Sequence, residues 1–341
     1  MKKIAVIGTG RWGPNHVRNF NALKDCQVVA AADLNAEALA RMQANFPGLQ
    51  GYGDYREILR RRDVDAVVVA TPTSTHASIV REALEAGKHV LCEKPLTANS
   101  ADAWDLVKLA EQAGLHLMVG HVFLFNPGID YLIQAAREEA IGPLYYVNAI
   151  RTNLGPFRSD VNAAWDLASH DIYIFNAILG RRPIAVSAVG ASYLRQPVED
   201  LVFLTLQYDN GTVAHAHASW LDPRKVRQIT MVGEKKMITW DEFGTPAPVM
   251  VFDRFVVREP IYNTFGEFQL LTREGDVMIP RIPPKEPLAA QAAVFAARLR
   301  GEDTDLTRGS ARQGAEVVDI LSAVSRSLQH HGAMEKIEYG R

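Results

Sequence analysis

A glycine triplet near the amino terminus constrains this chain more tightly than any other stretch. Lys3 to Ile7 is a short apolar run, Gly8-Thr9-Gly10-Arg11-Trp12-Gly13 follows, and a helix-like segment continues to about Leu23. The spacing is G-x-G-x-x-G with a strand before it and a helix after it. The first glycine permits a tight turn, the second lets backbone approach a pyrophosphate, and the third lets helix and strand pack closely. Free N–H groups at the helix start would meet the phosphates. Arg11 and Trp12 lie inside the loop and join Gly8, Gly10 and Gly13 as candidate contacts.

A second apolar run, Gln27 to Ala32, ends at Asp33, 20 positions after Gly13. A carboxylate there accepts hydrogen bonds from ribose hydroxyls and repels a 2′-phosphate, so NAD is expected in preference to NADP. Asp33 also suits the cap of a helix over Ala36 to Asn45, a reading compatible with the first.

Alternation continues. Asp65 to Ala70 reads as a buried strand ending at Thr71-Pro72, and a helix follows from about Ser74 to Ala86, closed by Gly87. Lys88 to Cys92 is the next strand and delivers Glu93-Lys94-Pro95 to its carboxyl end. Proline pushes the residue before it out of the helical region, so Lys94 is expected extended at the edge where open parallel sheets bind ligands. Ser100 is the expected cap of a helix to Ala113, and Leu115 to Gly120 forms a strand that reaches His121. Strands alternating with helices imply a doubly wound parallel sheet with right-handed crossovers. Thr71, Pro72 and Glu93 fall at the same edge as the glycine loop. His76 opens the helix beside them, and the sequence leaves open whether it contacts cofactor or orders the turn.

A length of 341 residues predicts two domains, set at 1–121 and 122–341. Beyond His121 the pattern changes to longer strands and hairpins. Leu201 to Tyr208 and Val213 to Trp220 are joined through Asp209-Asn210-Gly211-Thr212, and Ile229 to Val232 is joined to Met237 to Trp240 through Gly233-Glu234-Lys235-Lys236. This half is read as an α/β domain with an open, mostly antiparallel sheet. Its strand Val213 to Trp220 puts Ala214, Ala216, Ala218 and Trp220 on one face, and His215, His217 and Ser219 on the other. No third ligand accompanies the two histidines at metal spacing, so that face is read as outer or intersubunit, and no metal is expected. A homodimer or homotetramer through this sheet is the expectation. Ile279 to Pro287 is expected as an extended connector, and Ser310-Ala311-Arg312-Gln313 as a capping box.

With 48% hydrophobic and 22% charged residues and a formal net charge of -2, the chain has the profile of a soluble globular protein without attraction to nucleic acid or anionic membrane. No run is long enough for a membrane span or signal peptide, and two separated cysteines, Cys26 and Cys92, do not make a disulfide scaffold, so a cytoplasmic location is expected.

Asp166 and His170 are four apart, which predicts one face of a helix shared by a carboxylate and an imidazole able to exchange a proton near neutrality. Taken together, the glycine loop, Asp33, Thr71-Pro72, Glu93-Lys94-Pro95 and Asp166-x-x-x-His170 occur in an order that resembles the Gfo/Idh/MocA oxidoreductases over nearly the whole length. The resemblance implies a Rossmann domain, an α/β domain whose open sheet makes oligomer contacts, and catalytic positions at Lys94, Asp166 and His170. Gly120 to Pro127 and Trp165 to Asp171 look most like the branch acting on nucleotide sugars. The activity implied is NAD-dependent hydride transfer at a secondary hydroxyl or ketone of a sugar, nucleotide sugar or cyclitol. Either His170 or Lys94 serves as base, with the other stabilising charge on oxygen and Asp166 orienting the imidazole. Asn126, Arg151, Asn153, Arg158, Asn162 and Trp165 are the candidate substrate contacts, alongside Lys94 and His170. Two other classes fit the same resemblance: a sugar-responsive regulator that retains dinucleotide binding, and an NAD-dependent glycosidase.

Overall fold

Short runs of small and branched apolar residues between amphipathic helices can bury both strand faces only in a covered parallel sheet. In the computed structural model, which describes residues 1–257, 271–302 and 304–340, the first part of the chain takes that form. Its elements are β1 (Lys2–Ile7), α1 (Gly13–Asn21), β2 (Cys26–Ala32), α2 (Ala36–Asn45), β3 (Gln50–Tyr52), α3 (Tyr55–Leu59), β4 (Ala66–Val69), α4 (His76–Glu85), β5 (His89–Cys92), α5 (Ser100–Ala113) and β6 (Leu117–Val119). The strands lie in the order β3-β2-β1-β4-β5-β6, and every pairing is parallel. Ile4, Ala5 and Val6 in β1 and Ala66 to Val69 in β4 are fully buried. Strand order reverses between β1 and β4, and Ile7 pairs with Val69 there, so the loops after these two strands share the switch point where such sheets take ligands.

Two expected caps move by one or two residues. The α2 cap is Asn35, whose Oδ1 accepts the Ala38 N–H, and Asp33 is left to other partners. Asn99 caps α5 by accepting the Asp102 N–H at 2.9 Å. Ser100, the expected cap, is the first helical residue, and its hydroxyl donates to Asp319.

The second unit begins at Pro127. It contains α6 (Pro127–Arg137), β7 (Leu144–Leu154), α7 (Ser169–Leu179), β8 (Pro183–Ala191), β9 (Leu201–Tyr208), β10 (Val213–Ser219), β11 (Leu221–Gly233), β12 (Met237–Asp241), β13 (Val249–Val257) and β14 (Leu271–Met278). Two helices follow, α8 (Pro287–Leu299) and α9 (Ala311–Gln329), and then β15 (Glu335–Lys336). The nine-stranded sheet runs β14-β13-β12-β11-β7-β10-β9-β8-β15, antiparallel except where β10 meets β7. Alternation sets its two faces: Val147, Ala149, Leu204, Leu206, Ala214 and Ala216 are buried, whereas Tyr146, Val189 and Phe203 remain exposed. On the exposed side Phe203 stacks on His217 with ring centroids 4.5 Å apart and on His215 at 6.4 Å, and both histidines are half-buried.

The first unit does not end at the expected boundary. It also takes Lys285–Ser322 and the last residues from Glu338, while Ala323–Ile337 belongs to the second unit. The apolar content of α8 accounts for the return: Phe295 is fully buried and meets Phe20 of α1 edge to face at 6.2 Å. The cap of α9 forms as a variant of the box, with Ser310 Oγ accepting from Gln313 N–H while the Gln313 side chain reaches back to Gly309 N–H.

Candidate active site

In the first unit the expected cofactor residues converge at the switch point. A Cβ on Gly8, where φ is +97°, would lie 2.5 Å from the Ala70 carbonyl oxygen, and one on Gly13 would lie 2.3 Å from the Gly8 carbonyl oxygen. Among the described residues nothing lies within 4 Å of a Cβ built on Gly10. Two glycines are therefore needed by the fold itself, and the middle one leaves open space above the loop. Arg11 and Trp12 stand exposed beside it.

Asp33 is caged by this loop. One carboxylate oxygen accepts both the Thr9 N–H at 2.7 Å and the Thr9 hydroxyl at 2.8 Å, and the other accepts the Asn35 N–H at 2.8 Å. Burial works to raise its pKa, but these hydrogen bonds overcome burial and hold the carboxyl below its ordinary value. Three accepted bonds leave one lone-pair direction on Oδ1 for a further donor.

His76 orders the turn, one of its two expected roles. It is 1% exposed, and its ring nitrogens face the carbonyl oxygens of Thr71 and Pro95, each at 2.9 Å. It thus ties the loop after β4 to the loop after β5, which carries Glu93 and Lys94. Glu93 reaches back to His16 of α1, Oε1 to Nε2 at 2.8 Å. His121 at the end of β6 is fully buried, and burial together with the Lys94 charge pushes its pKa down to about 3. Asn126 closes the short turn after it, its N–H bonded to Phe123.

The second unit holds the remaining expected site residues, and its local geometry departs from the four-residue reading. Ala164–Ala168 forms a π-helical turn, and α7 continues from it, so Asp166 and His170 occupy different kinds of helix rather than one regular face. Asp166 accepts the indole N–H of Trp220 at 3.1 Å and a guanidinium N–H of Arg158 at 3.3 Å. His170 Nδ1 pairs with Tyr173 Oη at 2.8 Å. Asn162 caps the turn through Trp165 N–H and donates to Glu199 at 2.8 Å. The Trp165 indole N–H donates to Ser325. Asn153 donates to the Gly155 carbonyl oxygen.

Arg151 departs furthest from expectation. It is 2% exposed, and its guanidinium binds Asp171 through Nε and Nη2 at 2.7 to 3.1 Å. Burial pushes the Asp171 carboxyl up while the guanidinium pulls the other way. This pair fixes β7 to α7 and so sets the position of the helix that begins with Ser169-His170; the side chain is not presented to a ligand.

Tyr173, Trp220 and His16 were not among the expected site residues. Tyr173 lies three residues beyond His170, a spacing that signals a shared helix face. Trp220 could not have been found this way, because its link to Asp166 depends on sheet register. Among the described residues no group of three His, Cys, Asp or Glu side chains is placed to hold a metal ion, and no helix is long and apolar enough to cross a membrane.

Residues 2–121 match the model of the oxidoreductase family with an NAD-binding Rossmann fold, and residues 130–239 match the Gfo/Idh/MocA C-terminal domain. The chain is 29% identical over 326 residues to UDP-N-acetylglucosamine 3-dehydrogenase of Acidithiobacillus ferrooxidans, covering 95% of this chain and 88% of that protein. It is 38% identical over 184 residues to an inositol 2-dehydrogenase/D-chiro-inositol 3-dehydrogenase of Shouchella clausii, covering 52% of this chain and 53% of that one. The solved structure of the Acidithiobacillus ferrooxidans enzyme shares the fold, with a TM-score of 0.81 at 24% identity over 97% of this chain and 98% of the other. Two family matches in the proper order, over a Rossmann sheet and a mostly antiparallel second sheet, show that this chain belongs to the Gfo/Idh/MocA family of NAD-binding oxidoreductases.

Proposed function

We propose that this protein is an NAD-dependent dehydrogenase acting on a secondary hydroxyl of a sugar carried by a nucleotide, or on the corresponding ketone in reverse. The observation that carries this reading is the similarity to a UDP-N-acetylglucosamine 3-dehydrogenase, which runs through both units instead of stopping at the cofactor domain. Cyclitols are the second substrate class, because the inositol dehydrogenase is more alike in sequence over the half that matches.

The first unit suits NAD. Gly8 and Gly13 hold the loop in shape, Gly10 leaves room for a diphosphate, and the remaining acceptor direction on Asp33 suits a ribose hydroxyl while its charge repels a 2′-phosphate. When bound, NAD supplies the acceptor for a hydride leaving carbon. Lys94 is assigned as the cation that donates to the substrate oxygen and stabilises its negative charge. His170 is assigned as the base that takes the hydroxyl proton, its ring steadied by the pairing of Nδ1 with Tyr173 Oη. Asp166, steadied by Trp220 and Arg158, supports the charge that develops on the imidazole. Arg158 is the residue assigned to a diphosphate or carboxylate. Asn126, Asn153, Asn162 and Trp165 remain candidate sugar contacts.

The test is to incubate the purified protein and NAD with nucleotide sugars, free sugars and cyclitols while following nicotinamide absorbance and analysing the sugar. Reduced cofactor with an oxidised sugar supports the dehydrogenase. Net glycoside cleavage without reduced cofactor would assign a glycosidase, and binding without either reaction would assign a sensor. Lys94→Met and His170→Asn should each remove most turnover and alter different limbs of the pH profile. The protein is further proposed to be cytoplasmic and to form a homodimer or homotetramer through the sheet face bearing Tyr146, Val189 and Phe203, which sedimentation would test.

A further inference from the structure

We propose that His16 and Glu93 form a buried pair that keeps Lys94 a cation, which makes His16 a positioning residue for the lysine. The inference deepens the reading above and rests on Lys94 having the role assigned there.

The pair sits within the first unit. His16 lies in α1, the helix opened by the glycine loop, and is fully buried. Its Nε2 is 2.8 Å from Glu93 Oε1, while Nδ1 is buried without a hydrogen-bond partner among the described residues. A ring proton is satisfied only on Nε2, so the imidazole donates to the carboxylate. The second carboxylate oxygen of Glu93 receives the backbone N–H of Lys94 at 3.3 Å. Gly120 leaves no slack on another side: a Cβ there would be 3.0 Å from Glu93 Oε2 and 3.2 Å from its Cα. The carboxylate is thus held between a helix, a strand end and the lysine's own peptide, with its side chain only 14% exposed.

A buried carboxylate remains ionised only if its surroundings favour the charge. Burial here works to raise the Glu93 pKa, and contact with His16, followed by the Lys94 charge, more than offsets it. Cys92 and His121, the other titratable groups named beside the pair, add no second anion at neutral pH. Burial and Glu93 push the Cys92 thiol well up, and His121 is held neutral. Glu93 therefore supplies negative charge beside Lys94, and His16 is what lets that charge stay in place. A lysine held as ammonium suits the role assigned to it above, donor to the substrate oxygen, and not that of proton acceptor.

The test reads Lys94 directly in the NAD-bound protein and needs no sugar. The rate at which acetic anhydride acylates Lys94, followed by peptide mass spectrometry against pH, gives the midpoint of its amine. Glu93→Gln, nearly isosteric, should move that midpoint down by at least about one pH unit, the size expected when an adjacent opposite charge is removed. His16→Phe should shift it in the same direction, because Glu93 would then take up a proton. His16→Gln, which can still donate to the carboxylate, should restore at least half of that shift. In the Glu93→Gln background, His16→Phe should add nothing. An unmoved midpoint in Glu93→Gln, or an equal His16→Phe shift with and without the carboxylate, overturns the proposal. If His16→Phe does not fold, Glu93→Gln and His16→Gln decide. Because the readout is lysine reactivity, failure of the sugar-dehydrogenase reading would leave it unchanged.

Discussion

The two units hold their functional side chains by different means. In the first, the glycine loop, Asp33 and His76 are fixed largely by backbone: Thr9 N–H and Asn35 N–H on Asp33, and the Thr71 and Pro95 carbonyls on His76. In the second, Asp166, Asn162 and Trp165 depend on side chains remote in sequence, namely Trp220, Glu199 and Ser325. A site built on backbone near a sheet edge tolerates many changes around it but few within it. A site built on distant side chains can be loosened from far away.

The largest effect should come from the buried ion pair of the second unit. Arg151→Met removes the guanidinium bonded to the buried Asp171 carboxylate, which should destabilise that unit by about 3–5 kcal/mol. Adding Asp171→Leu should recover much of the loss. Hydrogen exchange resolved by peptide would show the loss confined to residues 127–257, 271–284 and 323–337 of the second unit, and a change below about 1 kcal/mol would mean that the pair behaves like an exposed one. The first unit should instead show its weakness in acid. His121 is held neutral with a pKa of about 3, burial being the main cause and the Lys94 charge the second. An unfolded histidine takes up a proton below about pH 6.5, so between that pH and about 3 the unfolded state binds more protons and stability falls with falling pH. The contribution is fully present above about pH 6.5, and from pH 7 to pH 4 it should diminish by roughly 3 kcal/mol. His121→Phe should flatten the acid limb of the first unit's stability curve by that amount, as read by exchange at several pH values, and should leave the second unit's curve unchanged.

The same contrast explains what was legible in the sequence. The Rossmann strands, the glycine roles and the edge position of Lys94 follow from local patterns, because each turn in a parallel sheet announces itself by the residues that permit it. The hairpin at Asn210-Gly211 was legible for the same reason, and Gly211 has the expected positive φ of 85°. Three features were not. The π turn at Ala164–Ala168 has no composition of its own, so four-residue spacing was read as regular helix. Arg151 was read as a candidate substrate contact, yet its burial and pairing with Asp171 depend on which face of β7 is covered. The return of α8 to the first unit is written in its contact with Phe20, far away in sequence.

A smaller effect separates glycines that serve the fold from the one expected to serve the cofactor. Gly8→Ala places a Cβ 2.5 Å from Ala70 O at a φ of +97°, and should cost about 1–3 kcal/mol in stability. Gly10→Ala meets nothing within 4 Å among the described residues and should change stability by less than about 0.5 kcal/mol. Its NAD affinity should nevertheless fall at least about tenfold, since the added methyl occupies the approach assigned to the diphosphate. Thermal unfolding and cofactor titration of the two variants would show stability and binding moving independently. Equal NAD affinity in Gly10→Ala and the parent protein would remove the diphosphate from that loop.

The smallest expected change is also the most selective. Asp33→Ala would strand the Thr9 N–H, the Thr9 hydroxyl and the Asn35 N–H together, so a loss of binding in that variant could come from a collapsed loop. Asp33→Asn keeps an acceptor for part of that set and removes the charge. Loss of the charge ends repulsion of a 2′-phosphate, and the ratio of NAD to NADP affinity should shift toward NADP by about tenfold, near 1.4 kcal/mol. Arg158→Gln in the second unit should leave that ratio where it was while weakening an anionic sugar. If Asp33→Asn does not alter the ratio, Asp33 is only a brace for the glycine loop, and the backbone-built unit would owe its cofactor choice to some other residue. If Arg158→Gln alters it instead, the division of labour between the units is wrong, because a residue assigned to the sugar would be reading the ribose.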